Sequence, residues 1–266
     1  MGRNVRVWTI WLGAVLTIGD GANVLRGFAT AATSTTLLTK ALYPIHLHAM
    51  IDALGDRVVK PGNERAVSVG MITRGGKQTP FRMTREMPNK VLMEDLTSGK
   101  VRSVSFDGDS ASASDQLADD DLDVTESVGD DSAEALLYSM QNGYTLRMLG
   151  SRFRTDRGDN PAYNGPWFDI FELLGAPVKR SATSARHKQV VFDSVSKLLL
   201  YVRYKVQRGG GVVDVQTEWS AWKKVNGYAV PGKVTRRENG TEVWNVQHDT
   251  VTILPAQADD AFKVKK

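Results

Sequence analysis

The chain has no cysteine and only four histidines in 266 residues. The first absence removes disulfides, thiolate zinc sites, a cysteine nucleophile and the lipobox cysteine that would carry a lipid anchor. The second leaves little for a metal centre. His46 and His48 stand two apart on an expected helix and point to different sides, unlike an i, i+4 pair, while His187 and His248 stand alone. All four are read as partly exposed structural or linker histidines, and no metal site or cofactor is expected.

Catalytic signatures are missing as well. There is no G-x-S-x-G elbow, no P-loop and no H-E-x-x-H, and the glycines 209–211 read as a hairpin turn. The acidic run DGDSASASDQLADDDLD has the composition of a calcium loop without its D-x-[DN]-x-[DN]-G spacing. A carboxylate pair in WFDIFELL, Asp169 and Glu172, offers one alternative, an exported hydrolase; the same segment also fits a short buried element with boundary carboxylates.

Positive charge is absent from one region. Between Ser103 and Leu146 there are eleven acids, Asp107 through Glu134, and no Lys or Arg, although the chain carries 34 basic residues, 30 acidic ones and a net charge of +4. A basic body with one acidic segment favours an anionic partner or is ordinary solvated surface. Nucleic acid is not expected, because the basic residues are scattered singly through alternating segments rather than clustered.

What is present begins with a targeting signal. Two arginines in the first six residues precede VWTIWLGAVLTIG, an apolar run short of the ~20 residues of a membrane span, and GFATAAT supplies Ala29 and Ala31 in A-x-A spacing. Residues 1–31 are therefore read as a signal peptide or N-terminal anchor, 32–44 as a linker, and 45–266 as a single domain of an exported, periplasmic or cell-envelope protein. An acidic loop-helix insert is expected at 107–143.

Within that domain, IHLHAMIDALGDRV has the three-four-seven spacing of a short amphipathic helix that stops near Gly55 or at Pro61-Gly62. AVSVGMI, TPFRMTREM, KVLMEDL and VRSVSFDG then read as a meander of strands. A helix is expected from about Asp130 to Gln141, lying across the sheet as a cover. KLLLYVRYKVQ places Leu198, Leu200, Val202, Tyr204 and Val206 on one face, and VVDVQTEWSAW places Val213, Val215, Thr217, Trp219 and Ala221 on one face. GKVTRRE and TEVWNVQHDTVTIL are joined by Asn239-Gly240, a strong hairpin signal. Nine to eleven strands at this spacing predict a large, curved, mostly antiparallel sheet.

The segments PNKVLMEDL, VSFDGDSA, FDSVSKLLLYVRY, WSAWKKVNGYAVPGKVTRRENGTEVWNV and ADDAFKV resemble the outer-membrane lipoprotein-sorting (LolA/LolB-like) family, over most of residues 46–266. The resemblance implies a mainly β fold with a few helices: a half-open, strongly curved antiparallel β-sheet, an incomplete barrel, capped by helices. It also implies a non-enzymatic carrier of lipid or lipoprotein acyl chains, or a sensor or scaffold of the same fold that binds an envelope protein partner. The expected chain is a monomer.

A carrier needs an apolar concavity with a movable cover. The alternating strands offer Phe81, Met83, Val91, Met93, Val104, Phe106, Leu200, Val202, Val213, Val215, Trp219, Trp244 and Val246 as its wall, and Leu136 and Met140 as part of its lid. Residue by residue, a packed core competes with a cavity as the explanation.

Overall fold

A computed structural model describes residues 48–55, 62–97, 102–108, 110–115, 119–136, 144–153, 167–174, 187–208, 210–256, 258–262 and 264. The proposed signal peptide and linker, His46 and Met140 lie outside them. Two compact units divide at His48/Ala49, and the sheet belongs to the second, Ala49–Lys266.

A helix, α1, covers residues 48–54 and buries Met50, Ile51 and Leu54. It stops where the sequence predicts, at Gly55, whose φ of 83° and N–H bond to the Ile51 carbonyl form a left-handed C-terminal cap. The strands follow as β1 (Glu64–Arg74), β2 (Lys77–Glu86), β3 (Lys90–Asp95), β4 (Arg102–Phe106) and β5 (Ala111–Ala113). Helix α2 (Asp119–Asp130) precedes β6 (Thr145–Phe153), β7 (Trp167–Leu174), β8 (His187–Asp193), β9 (Leu199–Arg208) and β10 (Gly211–Ser220). A small hairpin of β11 (Lys223–Val225) and β12 (Tyr228–Val230) leads to β13 (Lys233–Glu238) and β14 (Thr241–Pro255), and a 3-10 turn covers Asp259–Phe262.

Twelve strands form one sheet in the order β5-β4-β3-β2-β1-β14-β13-β10-β9-β8-β7-β6. Every neighbouring pair is antiparallel, and the large curved sheet is not closed into a barrel. It consists of two meanders that meet where the first strand, β1, pairs with the last, β14. The connection from β5 to β6 therefore has to pass from one edge of the sheet to the other. That connection is the acidic segment.

Period-two alternation assigns the faces. Through the register, Ile72, Phe81, Met83, Val91, Met93, Val104 and Phe106 share one face with Val215, Trp219, Val234, Trp244 and Val246, and all are buried. Gly70 stands at a β-bulge in this row, where an added Cβ would come within 1.9 Å of the Gln247 carbonyl oxygen; only glycine permits that approach.

The structure corrects two expectations. The insert helix begins at Asp119, not Asp130: the run DDD opens it, where negative charge complements the helix dipole, and Val124 and Val128, one turn apart, are fully buried. Asp130 ends it, and Ser132 caps a further helical turn at 133–136 by accepting from the Ala135 N–H at 3.0 Å. In β9 the strict alternation breaks at a bulge between Val191 and Phe192: Phe192 pairs with Leu199, which is fully buried, and Leu200 is only half-buried.

WSAWKKVNGYAVPGKV resolves into the end of β10, the β11–β12 hairpin and the entry to β13. Asn226 and Gly227 have φ of 49° and 82°, the two positive values of a tight primed turn, as do Asn239 and Gly240. Trp222 donates its indole N–H to the Leu199 carbonyl at 3.2 Å. Pro231 precedes β13, where its missing N–H removes no ladder bond.

Candidate ligand-binding site

The acidic segment is an interior element. Residues Val124 through Gly129 of α2, and Asp131 through Leu136 beyond it, are buried. Helix α2 packs on β3, β4 and β5, with Gly129 set against the Asn89 carbonyl and the side chains of Phe106 and Val91. Its carboxylates meet basic groups from the second meander. Asp131 accepts from Lys188 Nζ at 2.5 Å, from the Tyr204 hydroxyl at 2.9 Å and from Thr217 at 3.4 Å. Asp123 accepts from Arg208 at 3.0 Å, and Arg236 donates to Ser127 and to Glu238. Burial, and then the adjacent Asp131 carboxylate, push the Tyr204 hydroxyl well above its ordinary pKa, so it remains a donor.

The charge asymmetry of the sequence thus has a structural use. The basic residues Lys188, Arg208 and Arg236 of the second meander clasp an acidic connection that also packs on the first. Buried carboxylates at these positions require such partners, since unpaired burial costs several kcal/mol, of order 3–5 when one member of a pair is removed.

Beside this occupied stretch, the face of β1–β4 holds a cavity of about 180 Å3. Ile72, Phe81, Met93 and Val104 form its apolar floor, Thr79 its side, and Arg74, Lys77, Asp95 and Arg102 its charged remainder. All nine share the parity of the buried face: Arg74 pairs with Lys77, Phe81 with Asp95, and Asp95 with Arg102 in the ladders. Arg102 also reaches Asp115 at 2.8 Å.

Of the residues named from sequence, Phe81, Met93 and Val104 line this cavity. Val91 and Phe106 instead meet α2 at Gly129. Met83, Val202, Val215, Trp219, Trp244 and Val246 are buried elsewhere on the same face, Leu136 is buried in the turn beyond α2, and Leu200 and Val213 are half-buried. The lining residues that sequence reasoning missed are Ile72, Thr79 and the four charged ones. Their signal is the same two-residue spacing, masked because a charged side chain ordinarily marks the wet face of a strand.

The other candidate groups behave differently. Asp169 and Glu172 are an odd number of residues apart on β7, so they point to opposite faces and cannot form an acid–base pair. Asp169 accepts from Ser151, Ser194 and Lys197 at 2.8, 3.0 and 2.7 Å. Burial alone would raise its pKa, but these bonds hold it below the usual carboxylate value. Glu172 pairs with Arg147 and lies 3.6 Å from His187 on a wide groove of about 690 Å3, whose walls also include the paired Arg203 and Asp214.

His248 is not partly exposed as expected. It is 2 % exposed, its ring stands edge-on to Phe81 at 5.6 Å, and neither ring nitrogen has a hydrogen-bond partner. Burial, then the charges of Arg85 and Lys223, lower its pKa to about 3, so it is neutral. The alternation of β14 contains this inward position, which follows Trp244 and Val246 by four and two residues.

The closing motif ADDAF is structural: Phe262 is buried and lies 5.7 Å beneath Lys90 Nζ at the start of β3. Among the described residues no helix is long and apolar enough to cross a membrane.

No family model matches the chain, and no curated protein matches it. Among solved structures, it is similar to a LolA superfamily protein from Nitrosomonas europaea, with 11 % identity over 82 % of this chain and 97 % of that one and a TM-score of 0.49. It is similar to a DUF1329 family protein from Desulfovibrio piger, with 11 % identity, 83 % and 96 % coverage and a TM-score of 0.46. A structure from Vibrio parahaemolyticus described as an outer membrane lipoprotein-sorting protein domain matches with 10 % identity, 80 % and 95 % coverage and a TM-score of 0.46. The fold is LolA-like: one large curved antiparallel sheet, left open, with helices beside it.

Proposed function

We propose that the protein is an exported, non-enzymatic cell-envelope carrier, a monomer that binds lipid or lipoprotein acyl chains on the concave face of its sheet. The observation that carries this reading is the cavity on β1–β4, whose floor of Ile72, Phe81, Met93 and Val104 is apolar and whose volume is about 180 Å3. Methionine suits such a wall, because its flexible thioether adapts to chains of different shape. Drug-sized ligands need about 300–1,000 Å3, so the cavity as it stands takes a section of one chain and not a bulky polar substrate. The N-terminal reading of residues 1–31 as a signal peptide or anchor supports export, and the sequence resemblance to lipoprotein-sorting proteins agrees with both.

A second reading, a scaffold for an envelope protein partner, is favoured by β6. It is an edge of the sheet and exposes Met148 and Leu149, at 39 % and 48 %, which is where an added strand from another chain would pair. Lipid extraction and mass spectrometry of protein prepared from its native compartment test the two. Acyl lipid co-purifying near one per chain is the expected result. Lipid-free protein that retains a folded envelope partner through the β6 edge would replace the carrier reading with the scaffold.

A further inference from the structure

Along the inward row of β1–β4 the chemistry changes within one alternate step. Ile72 is followed by Arg74, Phe81 is preceded by Thr79 and Lys77, Met93 is followed by Asp95, and Val104 is preceded by Arg102. Two residues of strand advance about 6.6 Å. The apolar floor and the charged end of the cavity are therefore separated by roughly the length that divides the head of an amphiphile from the first part of its tail.

The charge at that end has a sign. Three cations, Arg74, Lys77 and Arg102, stand with one lining carboxylate, Asp95, and they outnumber the carboxylates even when Asp115, the ion-pair partner of Arg102, is counted. Nor is the acidic connection spent here: the Asp123 and Asp131 carboxylates are taken up by Arg208, Arg236, Lys188, Tyr204 and Thr217 on other strands. An inward-facing cation costs desolvation wherever it sits beside apolar surface. Three of them at one end of an apolar trough make a seat for an anion whose own tail occupies the trough.

Resting on the carrier reading, the geometry points to a specific ligand class for this site: a single-chain amphiphile with an anionic head. Its tail lies over Phe81, Met93 and Val104, and its carboxylate or phosphate is held by Lys77 with Arg74 and Arg102. Lys77 is the group to vary. It is exposed, at the end of β2, and the packing of the floor does not depend on it.

The test is binding to the full chain, by displacement of an environment-sensitive apolar dye, of laurate, dodecyl phosphate, methyl laurate and dodecyltrimethylammonium below their micelle concentrations. A charge-assisted bond contributes about a factor of ten or more in affinity. Laurate or dodecyl phosphate is expected to bind about tenfold tighter than methyl laurate, with the ammonium compound weakest, and the tighter of the two anions identifies the head as fatty acid or phosphate ester. Lys77→Glu is expected to remove most of the preference while leaving methyl laurate unchanged, and higher salt to narrow the gap. Equal binding of laurate and methyl laurate, or an unchanged preference in Lys77→Glu, overturns the head-group assignment and leaves the carrier reading standing. Binding of none of the four overturns both.

Discussion

Lys188 Nζ on β8 lies 2.5 Å from the Asp131 carboxylate, just beyond the end of α2, and the two side chains are 10 % and 0 % exposed. The pair ties the connection between the two sheet edges to the middle of the second meander. Lys188→Met leaves a buried carboxylate with only the Tyr204 and Thr217 hydroxyls, and is expected to cost about 3–5 kcal/mol. Asp131→Leu strands Lys188 in the same way. The double substitution Asp131→Leu/Lys188→Met removes both charges and is expected to lose clearly less than the sum of the two single losses, read by urea denaturation of all four proteins. Simple additivity would mean that the two charges do not act as a pair.

The buried, neutral His248 sets a pH dependence. Its folded-state pKa of about 3 lies below the ordinary 6.5, so between those values the unfolded chain binds the proton more readily and stability falls as pH drops. From pH 7 to 4.5 the loss attributable to this residue is about 2–3 kcal/mol, at 1.36 kcal/mol per pH unit below the unfolded value. Asp169, whose pKa is lowered, contributes its own loss only as pH falls below the usual carboxylate range. His248→Phe, which keeps a flat ring against Phe81, is expected to flatten the stability profile between pH 7 and 4.5. A variant profile parallel to the wild type would assign the acid sensitivity elsewhere.

Gly129 is the close contact between α2 and the first meander. A Cβ there would lie 2.7 Å from the Asn89 carbonyl oxygen and 3.2 Å from the Phe106 ring. In an isolated helix Gly→Ala stabilises by about 1 kcal/mol, so the sign of the effect is diagnostic. Gly129→Ala is expected to lower the urea midpoint, because overpacking by about 1–3 kcal/mol outweighs the helix gain. A raised midpoint would show that α2 can lift from β3 and β4 at little cost.

Much of this architecture is legible in the sequence. The two-residue rhythm of β1–β4, β10 and β14, the Asn-Gly turns at 226–227 and 239–240 and the stop of α1 at Gly55 are local signals, and local signals are written in consecutive residues. The features that escape are non-local. Leu199 and Leu200 exchange roles because of a bulge against β8, a consequence of pairing that neither strand encodes alone. The acidic connection reads as solvated loop because its partners, Lys188, Arg208 and Arg236, lie up to 109 residues away in the case of Ser127 with Arg236. His248 escapes for another reason: residue type suggests exposure, whereas its position, two beyond Val246, already places it inside. The charged residues of the cavity escape in the same way.

The pairing of β1 with β14 has a consequence for how the protein must be made. Those partners lie about 170 (Arg74↔Trp244) to 191 (Glu64↔Pro255) residues apart, a high contact order that slows folding. Until β14 emerges from the ribosome or the translocation channel, β1 presents an eleven-residue strand with one open side. A newly made chain is then a sticky template for its own kind, so this protein is expected to depend on a holding chaperone between synthesis and the arrival of its last strand.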